Sequence, residues 1–162
     1  EIFQAFPDLI FAMAIMTFMG KGVLNLFIAL GLLTWVRTAR MIRGSVMQLK
    51  EKEYIEASRA CGASTYWIIM KGLVPNCLST IIVLVTLGIP NAIMYEASLS
   101  FLGIGIQPPT PSWGNMISAA QTFISFRPVY SIMPGVAIMI TVIAFNIFGD
   151  GLRDALDPKL KN

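Results

Sequence analysis

Five stretches of twelve or more residues carry no charged side chain: 9–20, 22–36, 72–95, 97–126 and 128–149. A helix that crosses hydrocarbon needs about 20 mostly apolar residues, each rising about 1.5 Å. With their flanks, four of the stretches meet that requirement, and the pattern predicts spans at about 3–20, 22–39, 78–100 and 130–149. Asp8 falls near one end of the first span or faces protein, and Lys21 and Arg37 are expected to snorkel to the interfaces. The stretch 104–126 is different, because it holds Pro108, Pro109, Pro111, Gly114, Asn115 and Gln121. Backbone exposed to lipid cannot be left unpaired, so this segment reads as an interfacial loop with a short helix near 113–124.

Between the second and third spans the pattern changes. From Met47 to Ala60 the residues favour helix, among them Leu49, Lys50, Glu51, Lys52, Glu53 and Glu56. Tyr54, Ala57, Ser58 and Cys61 recur at helical spacing and form a face of small and aromatic side chains. Gly62 stands where a helix would end in the left-handed conformation, and Ser64 can cap a second helix that runs toward Pro75 and the third span. The product is a helix–Gly–helix hairpin. As a bland reading it only joins two spans. Alternatively, its small residues pack against another protein or against its own second helix.

Composition agrees with lipid as the solvent. Of the 162 residues, 56% are hydrophobic and 13% charged, whereas a soluble domain carries about 25% charged residues. Mean hydropathy is +0.70. A soluble fold this short has too little interior for so much apolar surface. The fold class is therefore all-α, a polytopic transmembrane helix bundle with about four spans and a helix-turn-helix loop. Glu1 opens directly into an apolar stretch with no initiator Met and no basic leader, so the natural N-terminus is expected to lie upstream. There is no His, which removes imidazole acid–base catalysis and the commonest metal ligand. Cys61 and Cys77 are not spaced as a metal or redox motif. No catalytic residue, metal site or nucleic-acid partner is expected.

Charge distribution orients the bundle. Seven of the twelve basic residues fall in 37–71: Arg37, Arg40, Arg43, Lys50, Lys52, Arg59 and Lys71. Arg153, Lys159 and Lys161 lie in the tail, while the two remaining connections hold one each, Lys21 and Arg127. Positive charge marks the cytoplasmic side. Four spans put the loop at about 40–75 and the C-terminus there, and put the loop at about 101–128 outside. The tail from Gly149 to Pro158 alternates charge signs and reads as a short solvated helix ending before Pro158.

Several positions in the spans and the outer loop carry further meaning. Glu96 is ionisable near the outer end of the third span; it either lines a translocation path or makes a structural hydrogen bond to a neighbouring helix or the outer loop. Pro90 with Gly88 either kinks that span toward a path or is a passive kink. Trp113 reads as an interfacial anchor rather than a ligand-stacking residue. Gly135, Ala137, Ala144 and Gly149 are small enough for close helix approach.

Glu56-Ala57-Ser58, then Gly62, then Val74-Pro75 resembles the EAA motif of binding-protein-dependent ABC transporter permeases, with the spacing in register. Ser58 replaces the third Ala, Gly72 stands where Ile is usual, and Val74 stands for Leu. The stretch from Glu96 through Met116, with Pro108-Pro109 and Trp113-Gly114-Asn115, resembles the dipeptide, oligopeptide and nickel branch, as does Gly149 to Pro158. The resemblance implies a multi-pass inner-membrane permease subunit of an ATP-driven importer, for di- or oligopeptides or nickel. Glu56, Ala57, Ser58, Gly62 and Pro75 would form its coupling loop. Implied partners are ATP-binding subunits, a second homologous permease subunit, an extracytoplasmic substrate-binding protein and the bilayer. ATP and Mg would sit on the ATPase, with no cofactor on this chain. The alternative is a self-contained channel or secondary carrier. A carrier more often shows buried charges at mid-membrane and paired broken helices, of which only Asp8 and Glu96 give a trace. An enzyme would need His, a Walker-type loop or clustered acids.

The charge asymmetry makes a topological prediction. Single cysteines at Ser45, Thr110 and Asn162, probed with an impermeant reagent on intact cells, should react at position 110 and stay silent at 45 and 162. Labelling at 45 without labelling at 110 would invert the orientation.

Overall fold

A computed structural model describes residues 7–156, and every regular element among them is helical. Helix α1 covers Asp8–Met19 and α2 covers Val23–Leu49. Helix α3 covers Glu53–Ala60, and α4 covers Thr65–Phe101 without interruption. Helix α5 covers Trp113–Ala120, followed by one 3₁₀ turn at Gln121–Phe123, and α6 covers Val129–Leu156.

Among the described residues three helices, α2, α4 and α6, are long and apolar enough to cross a membrane. Helix α1 has 12 described residues, about 18 Å, which is short of a hydrocarbon core of about 30 Å. Residues 3–6 of the first expected span lie outside the described residues, as do Asp157 and Pro158. The chain exposes 11158 Å², against roughly 8,000 Å² for a compact soluble protein of its mass. Phe18, Leu24, Phe27 and Ile147 are among the large apolar side chains left open. Such a surface suits lipid and neighbouring subunits and does not suit water.

Several boundaries differ from the sequence pattern. Helix α2 continues ten residues beyond 39, through Arg40 and Arg43. Basic residues mark where a helix leaves lipid, and both are good helix formers, so they do not end it. Met47–Leu49 belongs to α2, and the hairpin's first helix begins at Glu53 after a turn at Lys50–Lys52. The charge-alternating tail is no separate helix: α6 carries it to Leu156. The short helix expected near 113–124 is α5 plus its 3₁₀ turn.

The interior is thin and lies where α1, α2 and α4 meet. Ala12, Met16, Leu26, Ala29 and Leu99 form its buried cluster, with Ile104 and Ile106 of the following loop packed against it. An ion pair ties the same three helices together. Arg37 on α2 donates to Asp8 Oδ2 on α1 at 2.6 Å, and the Tyr95 hydroxyl on α4 donates to the same oxygen at 2.8 Å. Arg37, expected to snorkel to the interface, has Asp8 as its partner. Helix α6 runs along α4. Of the four small residues on it, Gly149 is the buried one, whereas Ala144 is exposed.

A β-carbon at Gly149 would lie 2.6 Å from Leu87 Cδ2 and 3.2 Å from its Cγ. Gly149→Val should therefore destabilise the α4–α6 pairing by about 1–3 kcal/mol, seen as a lower thermal midpoint of the detergent-solubilised protein. Ala144→Val should leave the midpoint within error. Equal midpoints for both would place residue 149 away from α4.

Candidate functional site

The hairpin is the first of two built sites. Helix α3 starts in extended backbone at Lys52 and ends in a full Schellman closure. The Gly62 N–H donates to the Arg59 carbonyl at 2.9 Å and the Ala63 N–H to the Ser58 carbonyl at 3.0 Å. Gly62 has φ +81°, which strains any residue with a β-carbon. Ser64 then caps α4, its hydroxyl accepting from the Trp67 N–H at 3.3 Å.

Two side chains of α3 lock it to α4. Ile55 is fully buried, with its Cδ1 filling the notch at Gly72, where a β-carbon would lie 2.8 Å away. The Tyr54 hydroxyl donates to the Gly72 carbonyl at 3.3 Å, and Asn76 Nδ2 donates to the same carbonyl at 2.6 Å. Gly72, a departure from the family pattern, is thus the seat of the contact. The segment Ile68–Leu73 is wound as a π-helix, with the Val74 N–H donating to the Ile69 carbonyl. Pro75 follows directly; its ring crowds the carbonyl four residues back and it has no N–H to give. A widened turn just before it accommodates both defects without breaking the helix.

Glu56 and Ala57 are exposed and point away from this contact; Ser58 is half-buried and its hydroxyl donates to the Tyr54 carbonyl at 2.7 Å. The face expected to pack, Tyr54-Ala57-Ser58-Cys61, therefore divides: Tyr54 contacts α4 while Cys61 is exposed. Ile55 was missed, because its partner Gly72 is far along the chain and no local pattern marks it.

The second site lies at the other end of α4. Gly103 has φ +76° and turns the chain back over the helix. The Ser100 hydroxyl donates to Glu96 Oε1 at 2.7 Å and accepts from the Ile106 N–H at 3.0 Å, and the Ile104 and Gly105 N–H groups both donate to the Leu99 carbonyl at 2.9 Å. Gly105 lies so close that a β-carbon would be 2.6 Å from Ser100 Oγ. Ser112 caps α5 by accepting from the Asn115 N–H at 3.1 Å. Gly114 rests on the backbone of Ala97, with no space for a β-carbon beside the Ala97 carbonyl. The result is an open cleft of about 370 Å³ lined by Glu96, Ile106, Pro111, Ser112, Trp113 and Met116.

Glu96 accepts from Ser100 one turn along its own helix rather than from a neighbouring helix or the loop directly, and it also lines the cleft. Trp113, read as an interfacial anchor, is half-buried in the cleft wall. Pro90 is buried within the bundle and does not line the cleft. Ser100 was missed, although its place four residues after Glu96 was a usable signal.

Long apolar helices, a braced hairpin between two of them, and a loop folded back over a helix end suit a multi-pass membrane protein. The chain belongs to the family described as binding-protein-dependent transport system inner membrane component, whose model matches residues 1–162. It is similar to proteins named glutathione transport system permease protein GsiD, from Escherichia coli O157:H7 and from Shigella flexneri serotype 5b. Each is 42% identical over 161 residues, covering 99% of this chain and 53% of the relative. The chain spans about half the length of the curated relatives it matches.

Gly114→Ala should force α5 off Ala97 and cost several kcal/mol, seen as loss of folded protein from detergent extracts. Gly135→Ala, at a helical position with open space, should be neutral or stabilising by up to about 1 kcal/mol. If Gly114→Ala behaves like Gly135→Ala, the contact between α5 and α4 is not tight.

Proposed function

We propose that this chain forms part of the permease subunit of an ATP-driven importer of small peptides. In this reading it holds no nucleotide site; separate ATPase subunits hydrolyse ATP, a second permease subunit completes the pathway, and a binding protein delivers substrate. The hairpin and the end of α6 face the cytoplasm, on the charge count given above. Peptides are favoured as substrates because the relatives are named for transport of glutathione, a tripeptide.

The observation that carries the reading is the bracing of α3. A short helix joined to a 37-residue helix by a Schellman turn, a capped start and a buried Ile55 moves with that helix as one body. Its exposed Glu56 and Ala57 are free to seat in a partner's groove. Closure of two ATPases on ATP would displace α3, and α4 would carry the displacement into the bundle. This is a rigid-body transition biased by a ligand.

Gly62→Val should strain the turn by about 1–2 kcal/mol and tilt α3 while leaving the bundle inserted. Glu56→Lys should reverse the charge at the contact. Both should uncouple peptide uptake from ATP hydrolysis in vesicles that contain all subunits, with bound ATPase quantified in parallel. Normal uptake and normal ATPase binding by both variants would reduce the hairpin to a connector.

A further inference from the structure

The cleft at the end of α4 has a chemistry of its own. Its volume of about 370 Å³ lies within the range of about 300–1,000 Å³ typical of small-ligand sites. Its lining is mainly apolar, through Ile106, Pro111, Trp113 and Met116. Glu96 supplies the one charge, and no basic side chain lines it. Of the Glu96 carboxylate, Oε1 accepts the Ser100 hydroxyl, and Oε2 accepts no hydrogen bond from the described residues. The Ser112 hydroxyl already accepts from the Asn115 N–H. A carboxylate oxygen with spare acceptor capacity, an indole ring and an apolar wall together favour an organic cation that carries an apolar neighbour. No group of three or more His, Cys, Asp or Glu that could hold a metal ion occurs among the described residues.

We propose that this cleft receives the amino-terminal residue of a peptide, its primary ammonium on Glu96 Oε2 and over Trp113, and its first side chain against Pro111 and Met116. The proposal rests on the peptide-importer reading and adds to it the substrate group that this chain recognises. Glu96 then has two tasks on two oxygens: Oε1 holds the loop closed through Ser100, and Oε2 meets the ligand.

The test uses the complete transporter complex in nanodiscs, with Cys61 and Cys77 replaced by Ser and with Met116→Cys as a reporter in the cleft wall. Labelling by an impermeant maleimide is timed with a free-amine dipeptide, with its N-acetylated form, and without peptide. The free-amine peptide should slow labelling and the acetylated one should not. Glu96→Gln retains an acceptor for Ser100 but removes the charge, and should weaken the protection about tenfold. Pro111→Lys, at an exposed position, should place an ammonium beside Glu96 and remove the protection without touching the loop's hydrogen bonds. Equal protection by both peptides, or full protection in both variants, overturns the proposal. So does a reporter thiol that is unreactive without peptide, because another subunit would then fill the cleft. Uptake of the same dipeptide is measured in parallel. Protection without uptake would defeat the importer reading and keep the site; uptake without protection would do the reverse.

Discussion

Hydrocarbon offers a polar group nothing to bond with, so a donor or acceptor held within it must find its partner within the protein. Helix formation satisfies the backbone, and most side-chain hydroxyls on the long helices follow the same rule, the buried Ser131 Oγ being an exception. The hydroxyls of Thr17, Thr34, Thr38, Ser45, Thr86, Ser98 and Thr141 each donate to the carbonyl four residues earlier. Polar residues thereby sit on apolar helices at little cost. Helix ends are the places where this solution fails, and there the chain places its specific residues. Asn25 Nδ2 donates to the Met19 and Gly20 carbonyls at the end of α1, Gly62 closes α3, and Ser64 and Ser112 cap α4 and α5. The two candidate sites are both such closures.

A thin interior makes the polar ties more consequential. The buried cluster draws on α1, α2 and α4, and the Arg37–Asp8–Tyr95 contact joins the same three helices. Apolar packing between helices gains little over packing against lipid, so a hydrogen-bonded ion pair fixes the arrangement of the three more firmly than side-chain shape alone. Helix α6 is held differently, by the close approach of Gly149 to Leu87.

What the sequence made legible was local. Charge-free runs located the long helices, because desolvating a charge is costly at any position along a run. The Gly62 turn and the Ser64 cap were readable from residue type, because each acts on backbone groups close by in the chain. The limits of α2 were not. Lys50–Lys52 contains neither Gly nor Pro, and its turn is imposed by the docking of α3 on α4 rather than by propensity. Ile55 on Gly72 and Tyr95 on Asp8 join residues far apart in the chain. The stretch from Glu96 to Met116 was recognisable as a family pattern, but its physical content became visible only when the loop was folded. Ser100, Gly105 and Gly114 are each set by a neighbour that the fold brings close.

The π-wound segment Ile68–Leu73 bears on how α4 is phased. Bonds that skip five residues use more chain per turn than bonds that skip four, so the segment behaves as an inserted residue within an otherwise regular helix. Each residue advances an α-helix by about 100°, so the segment sets the angular offset between the capped start of α4 at Ser64 and the end that carries Tyr95 and Glu96, with the Gly72 notch lying within the segment itself. The capped start of α4 and the two polar side chains at the far end are thus phased by a winding defect as well as by helix length. Rewinding the segment to regular α geometry would turn one end against the other about the common axis, which makes this short stretch the dial that relates hairpin to cleft.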